Sequence, residues 1–514
     1  MWSRLSTVEV CRSCTPPFSF YFDVVAAYWR AKTDPLPLHR ACTLGRKQGV
    51  THCVVASAFD RADVVDEIDE LDAAFGGGGA AEALAITFFR SNISPDTIGE
   101  VSKDAILGQV TVINYREPGK SDFTYSYIYE AIFKPPALAN GMALLNTFVC
   151  HKADFNITVS GRDFVLSGIY YSQQNECTNV CAHASLRMAL NSSGALADRI
   201  TNKSINSDLG LAAPIKVGLQ IGQLEAVINA VPGIKAVVYQ CKGLPPATYI
   251  SNLASVVESG SLALLAFSTG DGDADHVVTV FGHTRNSDEW HPQAIPAYIG
   301  PSSGRYYASS SWIDHFLIHD DNFGPYYTLS TRALEVDPRI APICIIAVQT
   351  HEPNAPPAFA EGVASVILSN LLPSLAGERS EKWFEYITRS PRTYVLRTLL
   401  VSKANYLKHI STVCGHGGGT YAQSDVDRFA SLPEFFWMVE FSLPALYTGN
   451  NSKLGEILLD ATKPADPKKP ETLFLGMRMP SLILIAQDGV ADLHESDFKT
   501  HCPIFSVTQH PVTW

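Results

Sequence analysis

Charge is scarce in this 514-residue chain, where Asp, Glu, Lys and Arg together make up only 18% of residues. Basic residues are outnumbered 39 to 51, giving a formal charge of −12, and no long Lys/Arg run occurs. That balance excludes a general nucleic-acid-binding surface. Residues 1–18 lack the continuous apolar core of a secretory signal, and no run approaches the ~18 apolar residues of a membrane span. The expected location is cytoplasmic, with no membrane partner. A disulfide framework is also missing: the eleven cysteines are odd in number and scattered, which fits reduced thiols.

Several motifs are present only in part. Cys11 and Cys14 form a CxxC pair, but no second pair with metal-ligand spacing accompanies it, so zinc is not expected. The acidic loop 269–275 lacks the twelve-residue EF-hand pattern and reads as a solvated turn. Gly76 to Gly79 are followed by no Lys-Ser or Lys-Thr, so they form a connection rather than a phosphate loop. The loop from Cys414 to Gly419 contains His-Gly-Gly-Gly, yet the chain has no Gly-x-Ser-x-Gly elbow to make it a lipase. No repeat of about 20–50 residues recurs, which excludes a solenoid. No metal or organic cofactor is expected.

What the chain does have is a thiol set at the start of a helix. Apolar residues make up 46% of the sequence, an ordinary globular composition, and the length allows about two to four domains. In the stretch 171–190, YSQQNECTNVCAHASLRMAL, the run from Cys181 to Leu190 predicts a helix stopped by Asn191 to Gly194, with Asn179 or Thr178 as its cap. Cys181 falls in the first turn, where unpaired N–H groups and the positive end of the helix dipole stabilise negative charge on sulfur. Gln173 or Gln174 is near enough in sequence to bring an amide N–H to the same point and, with the Cys181 N–H, to form an oxyanion hole. Cys177 is the rival nucleophile, but it precedes the helix, and the small residues Ala182 and Ala184 follow Cys181.

A thiol nucleophile needs a base and a group to orient that base. His276 opens a β-branched strand closed by Gly282, and Asp320 ends an apolar strand ahead of a Gly324-Pro325 turn. Counting back from Gly324 instead allows Asp321 or Asn322 as the orienting group. His283, His315 and His319 are rival bases, with His319 on the face of its strand opposite Ile318 and Asp320. His183, two positions along the helix from the thiol, reads as structural.

In this order, glutamine, cysteine, histidine and aspartate resemble the papain-like cysteine peptidases, and particularly the bacterial double-glycine leader peptidases. The resemblance rests on Cys181-Ala-His-Ala-Ser-Leu-Arg-Met188, on His276-Val-Val-Thr-Val-Phe-Gly282 and on Ile318-His-Asp320, and covers about one third of the chain. It implies a nucleophile helix against a mostly antiparallel sheet, with the site in the cleft between them. The gap from His276 to Asp320 is longer than usual in the leader peptidases, so residues 285–311 are expected to be an insertion near the site that could cover the cleft.

The expected architecture is α+β: an N-terminal α+β region 1–165, a papain-like catalytic region 166–335 and a C-terminal α+β region 336–514. In the first, 61–75 predicts an acidic amphipathic helix with Val64, Val65, Ile68, Leu71 and Phe75 on one face, and 106–115, 125–133 and 155–171 predict strands. In the second, 221–231 predicts a helix and 236–239 and 262–267 predict strands. In the third, 343–348, 435–443 and 473–485 predict strands, 360–372 and 394–410 predict helices, and 463–471 predicts an exposed linker or hairpin tip. The expected activity is a cysteine peptidase acting on a peptide or protein through Cys181, His276 and Asp320. The alternatives are a papain-like acyltransferase, deamidase or transglutaminase, or an inactive scaffold binding a protein partner through the flanking regions.

Overall fold

The structure is a computed structural model that describes the chain except residues 1–8, 13–18, 92, 94–96, 136–145, 150, 197, 216, 271–274, 289–297, 300–304, 376–392, 488–489, 507–511 and 514. It is mixed α+β, with three large sheets and helices packed between and against them. Cys14 and most of the acidic loop 269–275 lie outside the described residues.

The first sheet gathers the N-terminal strands. It is built from β1 (Glu9–Arg12), β2 (His52–Ser57), β3 (Ala80–Phe89), β4 (Ile106–Arg116) and β5 (Tyr125–Phe133), while β6 (Asn146–Val149) departs to another sheet, and β7 (Ala153–Val159) and β8 (Arg162–Tyr171) complete it. The strand order is β1-β2-β3-β4-β5-β8-β7, antiparallel at every pairing. The β-rich stretch 155–171 resolves into the β7–β8 hairpin, turning at Ser160 and Gly161, both at positive φ. Helices α1 (Ser19–Tyr28), α2 (Leu36–Lys47) and α3 (Ala62–Ala74) accompany this sheet.

The middle of the chain supplies α4 (Cys181–Ser192), α5 (Asn202–Leu209), α6 (Ile221–Ala230), β9 (Lys235–Gln240), α7 (Pro246–Glu258), β10 (Leu262–Ser268) and β11 (Asp275–Arg285). It continues through β12 (Tyr298–Ile299), β13 (Arg305–Ala308), β14 (His315–Asp320), β15 (Gly324–Ser330), α8 (Thr331–Val336) and β16 (Ala341–Gln349). The second sheet runs β15-β14-β11-β10-β16-β9, and β6 from the N-terminal segment pairs with β11. Helix α4 lies between the first and second sheets, packed on β8 to one side and on β10 and β11 to the other. Residues 182–192 are all buried. Leu186, Met188 and Leu190 join one core with residues of both sheets, each contributing roughly 1.5–3 kcal/mol by burial.

The third sheet follows α9 (Pro357–Leu375). Its elements are β17 (Thr393–Ser402), α10 (Lys403–Thr412), α11 (Gln423–Asp427), β18 (Phe435–Ser442), α12 (Pro444–Asn450), β19 (Ser452–Lys453), β20 (Gly455–Leu459), β21 (Phe474–Met479), β22 (Leu482–Gln487) and β23 (Val490–Glu495). Two expectations are corrected here. The stretch 394–410 is half strand, because its first part alternates side chains across a sheet before Ser402 caps α10. Helix α9 is long and apolar enough, by length and composition, to cross a membrane, although no such run was expected. Half of that apolar stretch is buried inside the protein, and its Glu361 accepts hydrogen bonds from Ser251 (3.2 Å) and Thr398 (3.3 Å), so it serves here as a core helix.

Of the expected insertion 285–311, only 285–288, 298–299 and 305–311 are described. It leaves from the far end of β11, nine residues and ~30 Å of strand beyond His276. Its β13 then pairs in parallel with β17, adding β12 and β13 to the third sheet. The described part therefore joins a different sheet instead of covering the cleft.

One face of the third sheet buries a ladder of charges. Arg397, Glu440, Glu456 and Arg478 stand opposite one another on β17, β18, β20 and β21. Lys453 bridges the two glutamates at 2.6 and 3.1 Å, and Arg397 reaches across to Glu258 at the end of α7, which also meets His283 at 2.8 Å. Each charge has an opposite neighbour, which offsets the cost of removing it from water. Arg397→Met leaves Glu258 and Glu440 without their shared cation and is expected to cost about 3–5 kcal/mol in urea denaturation.

Candidate active site

Helix α4 begins at Cys181, which remains partly exposed at its N-terminal end. The residue at the N-cap is Val180, not Asn179 or Thr178. Its backbone N–H donates to Nδ1 of His183 (3.4 Å), whose Nε2 in turn bonds Oδ1 of Asn206 (2.9 Å). Burial pushes His183 down to about 4, so its ring is neutral and acts as a cap. Asn179 and Thr178 are used differently: Asn179 Oδ1 accepts from the Asn175 N–H (2.8 Å), and Thr178 Oγ1 accepts from Asn175 Nδ2 (2.7 Å).

These bonds shape the loop before the thiol into a small knot around Asn175. Its Oδ1 accepts from the backbone N–H groups of Cys177 (2.9 Å), Thr178 (2.8 Å) and Asn179 (3.3 Å). The knot is fastened to α3 by a buried carboxylate that the sequence reading missed. Glu67 accepts from Asn175 Nδ2 (3.1 Å), Asn179 Nδ2 (3.2 Å), Tyr127 Oη (3.1 Å) and Asn202 Nδ2 (2.9 Å). The signal was available: a helix period of 3.6 places position 67 on the same face as Val64, Ile68 and Leu71.

A second set of bonds sets the helix against the base strand. One turn after Cys181, Ser185 Oγ donates to the carbonyl of Val277 (2.8 Å), and Thr279 Oγ1 donates back to the Ser185 carbonyl (3.3 Å). Val277 adjoins His276, so the anchor lies one helical turn from the thiol and one residue from the imidazole. Cys181 lies close enough to the His276 side chain to favour its protonated form. Its Nε2 faces Asp320 Oδ2 at 3.3 Å and Asp321 Oδ1 at 3.7 Å, and its ring stands edge-on to Phe267.

Asp320 is held by its own hairpin, with Oδ1 accepting from the N–H groups of Asn322 (2.9 Å) and Phe323 (3.3 Å). The hairpin is pinned to the N-terminal elements. Gly324 has φ 112°, and a Cβ there would lie 2.8 Å from Cβ of Arg40, so α2 could not approach any other residue this closely. Arg40 Nε donates to the Pro325 carbonyl (3.1 Å), and Tyr326 Oη donates to the Phe133 carbonyl (2.8 Å).

The two candidate glutamines separate. Gln173 is committed to β5, its N–H and its Oε1 both engaging Ile128 at 3.0 Å. Gln174 points the other way, donating one amide hydrogen to Asn322 Oδ1 (3.3 Å) and lining a groove of 520 Å³ together with Val180. The rival histidines are all placed elsewhere. His283 pairs with Glu258, and His319 is buried against Tyr171, Phe281 and Tyr326, where its Nδ1 accepts from the Tyr326 N–H (3.0 Å). His315 lies at the opposite end of β14 from Asp320. Cys177 is buried in the loop, and burial pushes its thiol up.

The electrostatics follow from these contacts. Burial alone would lower His276, but the hydrogen bonds to Asp320 and Cys181 and the charges of Asp321 and Asp320 outweigh it and raise the imidazole to about 10. Asp321 is fully buried with neither carboxylate oxygen hydrogen-bonded, and burial raises it to about 7, against the attraction of His276. His276, Asp320 and Asp321 also lie close enough together to offer three ligand atoms to a metal ion.

Comparison with family models, with curated proteins and with solved structures finds no match to this chain.

Two predictions test the site's supports. Glu67→Gln turns an amide N–H toward groups that are themselves donors, so it is expected to cost about 1–3 kcal/mol and to slow alkylation of Cys181 by iodoacetamide. Asp321 has a folded-state value raised above its ordinary one, so its contribution to stability is complete below about pH 4 and is lost as pH rises through about 7. Asp321→Asn removes that loss: thermal denaturation should show it gaining on the wild type by on the order of a few kcal/mol between pH 5 and 8.

Proposed function

We propose that this protein is a cysteine peptidase that cleaves a peptide or protein substrate through Cys181, His276 and Asp320. The observation that carries the reading is the thiol at the first position of a buried helix, beside an imidazole that it helps to keep protonated and whose Nε2 meets a fixed carboxylate. These are the three roles that nucleophilic acyl transfer requires. Such a module would have the papain-like arrangement, a nucleophile helix set against the sheet that carries its histidine and aspartate.

In the first half of the reaction His276 Nδ1 accepts the thiol proton, and Sγ attacks the substrate carbonyl carbon. The C–S bond forms as the carbonyl π pair moves onto oxygen. That oxyanion sits between the Cys181 N–H and the second amide hydrogen of Gln174, in a position prepared before substrate arrives. When the oxyanion collapses, the C–N bond breaks and His276 returns its proton to the leaving amine. A water then loses a proton to His276 and attacks the thioester. The C–S bond breaks, and the sulfur recovers the proton as the acid product leaves. Asp320 orients the ring and balances its positive charge throughout. Asp321 adds a second carboxylate to the same nitrogen, which favours the imidazolium.

The test is site-mapped alkylation of the native protein by iodoacetamide at pH 6, where ordinary thiols are mostly protonated. Cys181 is expected to react at least about 10-fold faster than the other cysteines and to lose that advantage in His276→Ala. Peptide turnover is expected to fall about 100-fold or more in His276→Ala, as for loss of a general base. Equal reactivity of all accessible cysteines, unchanged by His276→Ala, sinks the reading.

A further inference from the structure

The groove that reaches Val180, the residue before Cys181, has a chemical character of its own. Gln174, Cys177 and Val180 line one part of it, and Phe75 and Tyr125 contribute aromatic rings with centroids 5.6 Å apart. Glu176 is the one charged group among the described residues that line it; it is exposed and has no ion-pair partner among them. Its backbone has φ 59°, in the left-handed region, within the turn that Asn175 fastens. A second carboxylate reinforces the field: the negative charges of Glu117 and Glu176 both act on Tyr125, and that of Glu117 acts on Cys177. Phe75 itself is delivered by the end of the acid-rich helix α3.

Ring faces followed by an unpaired carboxylate suit an alkyl stem ending in a cation. Phe75 and Tyr125 offer apolar contact to methylene groups and a negative π face to a positive charge, and Glu176 accepts charge-assisted hydrogen bonds at the end. An acidic side chain would meet repulsion from Glu176 and Glu117, and a purely aliphatic one would leave the carboxylate unused. We propose that this groove selects a lysine or arginine side chain close to the scissile carbonyl of a polypeptide substrate, with Phe75 and Tyr125 holding its stem and Glu176 its cation. The inference rests on the peptidase reading above and specifies which substrates that site takes.

The test uses peptidyl acyloxymethyl ketones of one sequence, with lysine, norleucine or glutamate placed in turn at each of the two residues nearest the reactive ketone. Norleucine is the comparison that matters, because it keeps the stem of lysine and lacks the charge. Modification of Cys181 is followed by mass spectrometry, with iodoacetamide as the probe that needs no groove. At one of the two positions the lysine probe is expected to react about 10-fold faster than the norleucine probe, the size of one charge-assisted contact, with glutamate slowest. Glu176→Gln should bring the lysine-to-norleucine ratio to about one, and Glu176→Lys should make glutamate the preferred side chain. The advantage of lysine should shrink in high salt. If iodoacetamide and the norleucine probes modify Cys181 in the wild type but lysine gains nothing at either position, the groove inference is overturned and the peptidase reading stands. The same holds if the preference survives Glu176→Lys. If neither iodoacetamide nor any peptidyl probe favours Cys181, the peptidase reading fails and the inference falls with it.

Discussion

Everything at the site depends on one constraint, the clamping of helix α4 between two sheets. A helix on a protein surface can roll or tilt by a degree or two at little cost, but one buried on all sides is held in its groove by close packing. Here the polar contacts act in the same direction. Arg187 donates to Ser172 and Tyr170 on the side of the first sheet, Ser192 accepts from the Tyr170 N–H there, and Ser185 ties the helix to the second sheet. The first turn, bearing Cys181, is therefore the end of a rigid rod aimed at a point that the second sheet defines. His276 and Asp320 come from neighbouring antiparallel strands of that sheet, so their spacing is set by the ladder and not by a loop.

The N-terminal segment has a larger part in this than its distance along the chain suggests. Its helix α3 lends Glu67 to the loop ahead of the thiol, and α2 presses on Gly324 in the hairpin that carries Asp320. The loop ahead of Cys181 and the hairpin of Asp320 are thus both braced by residues from the first hundred positions. Asn322 joins the two sides directly, since its Oδ1 accepts from Gln174 while its N–H donates to Asp320. Preorganisation of this kind lets donors face a developing charge without first having to move.

The parts of this arrangement that could be read from the sequence are those where chemistry restricts residue type. Cys181, His276 and Asp320 stood out because a thiol at a helix start, a histidine opening a strand and an aspartate closing one are each informative in combination. The choice between Gln173 and Gln174 was not legible, because neighbours in an extended chain point to opposite sides and only the pairing with β5 decides which one the strand takes up. Glu67 carries no apolar signal, so naming only the hydrophobic residues of 61–75 leaves it out, although the helical period places it on the same inward face. The helix cap was misassigned for a related reason: Asn179 and Thr178 are good caps in isolation, but Asn175 claims both side chains, and His183 takes the role from within the helix. Residues 394–410 were misread because strand and helix meet there without a glycine or proline between them. The destination of residues 285–311 depended on a parallel pairing with β17, a long-range contact that no local pattern records.

That pairing, together with the pairing of β6 on β11, has a consequence for how the molecule can be divided. Each crosses one of the two positions, near 165 and 335, where the chain would most naturally be cut into modules. The middle segment receives β6 from the segment before it and β16 from the segment after it, and gives β12 and β13 to the sheet of that later segment. A fragment cut at either position would lose a strand and expose a bare sheet edge, the kind of surface that recruits other chains. The three segments are laced together like a braid rather than strung like beads, and the molecule has to be made, folded and inherited as a whole.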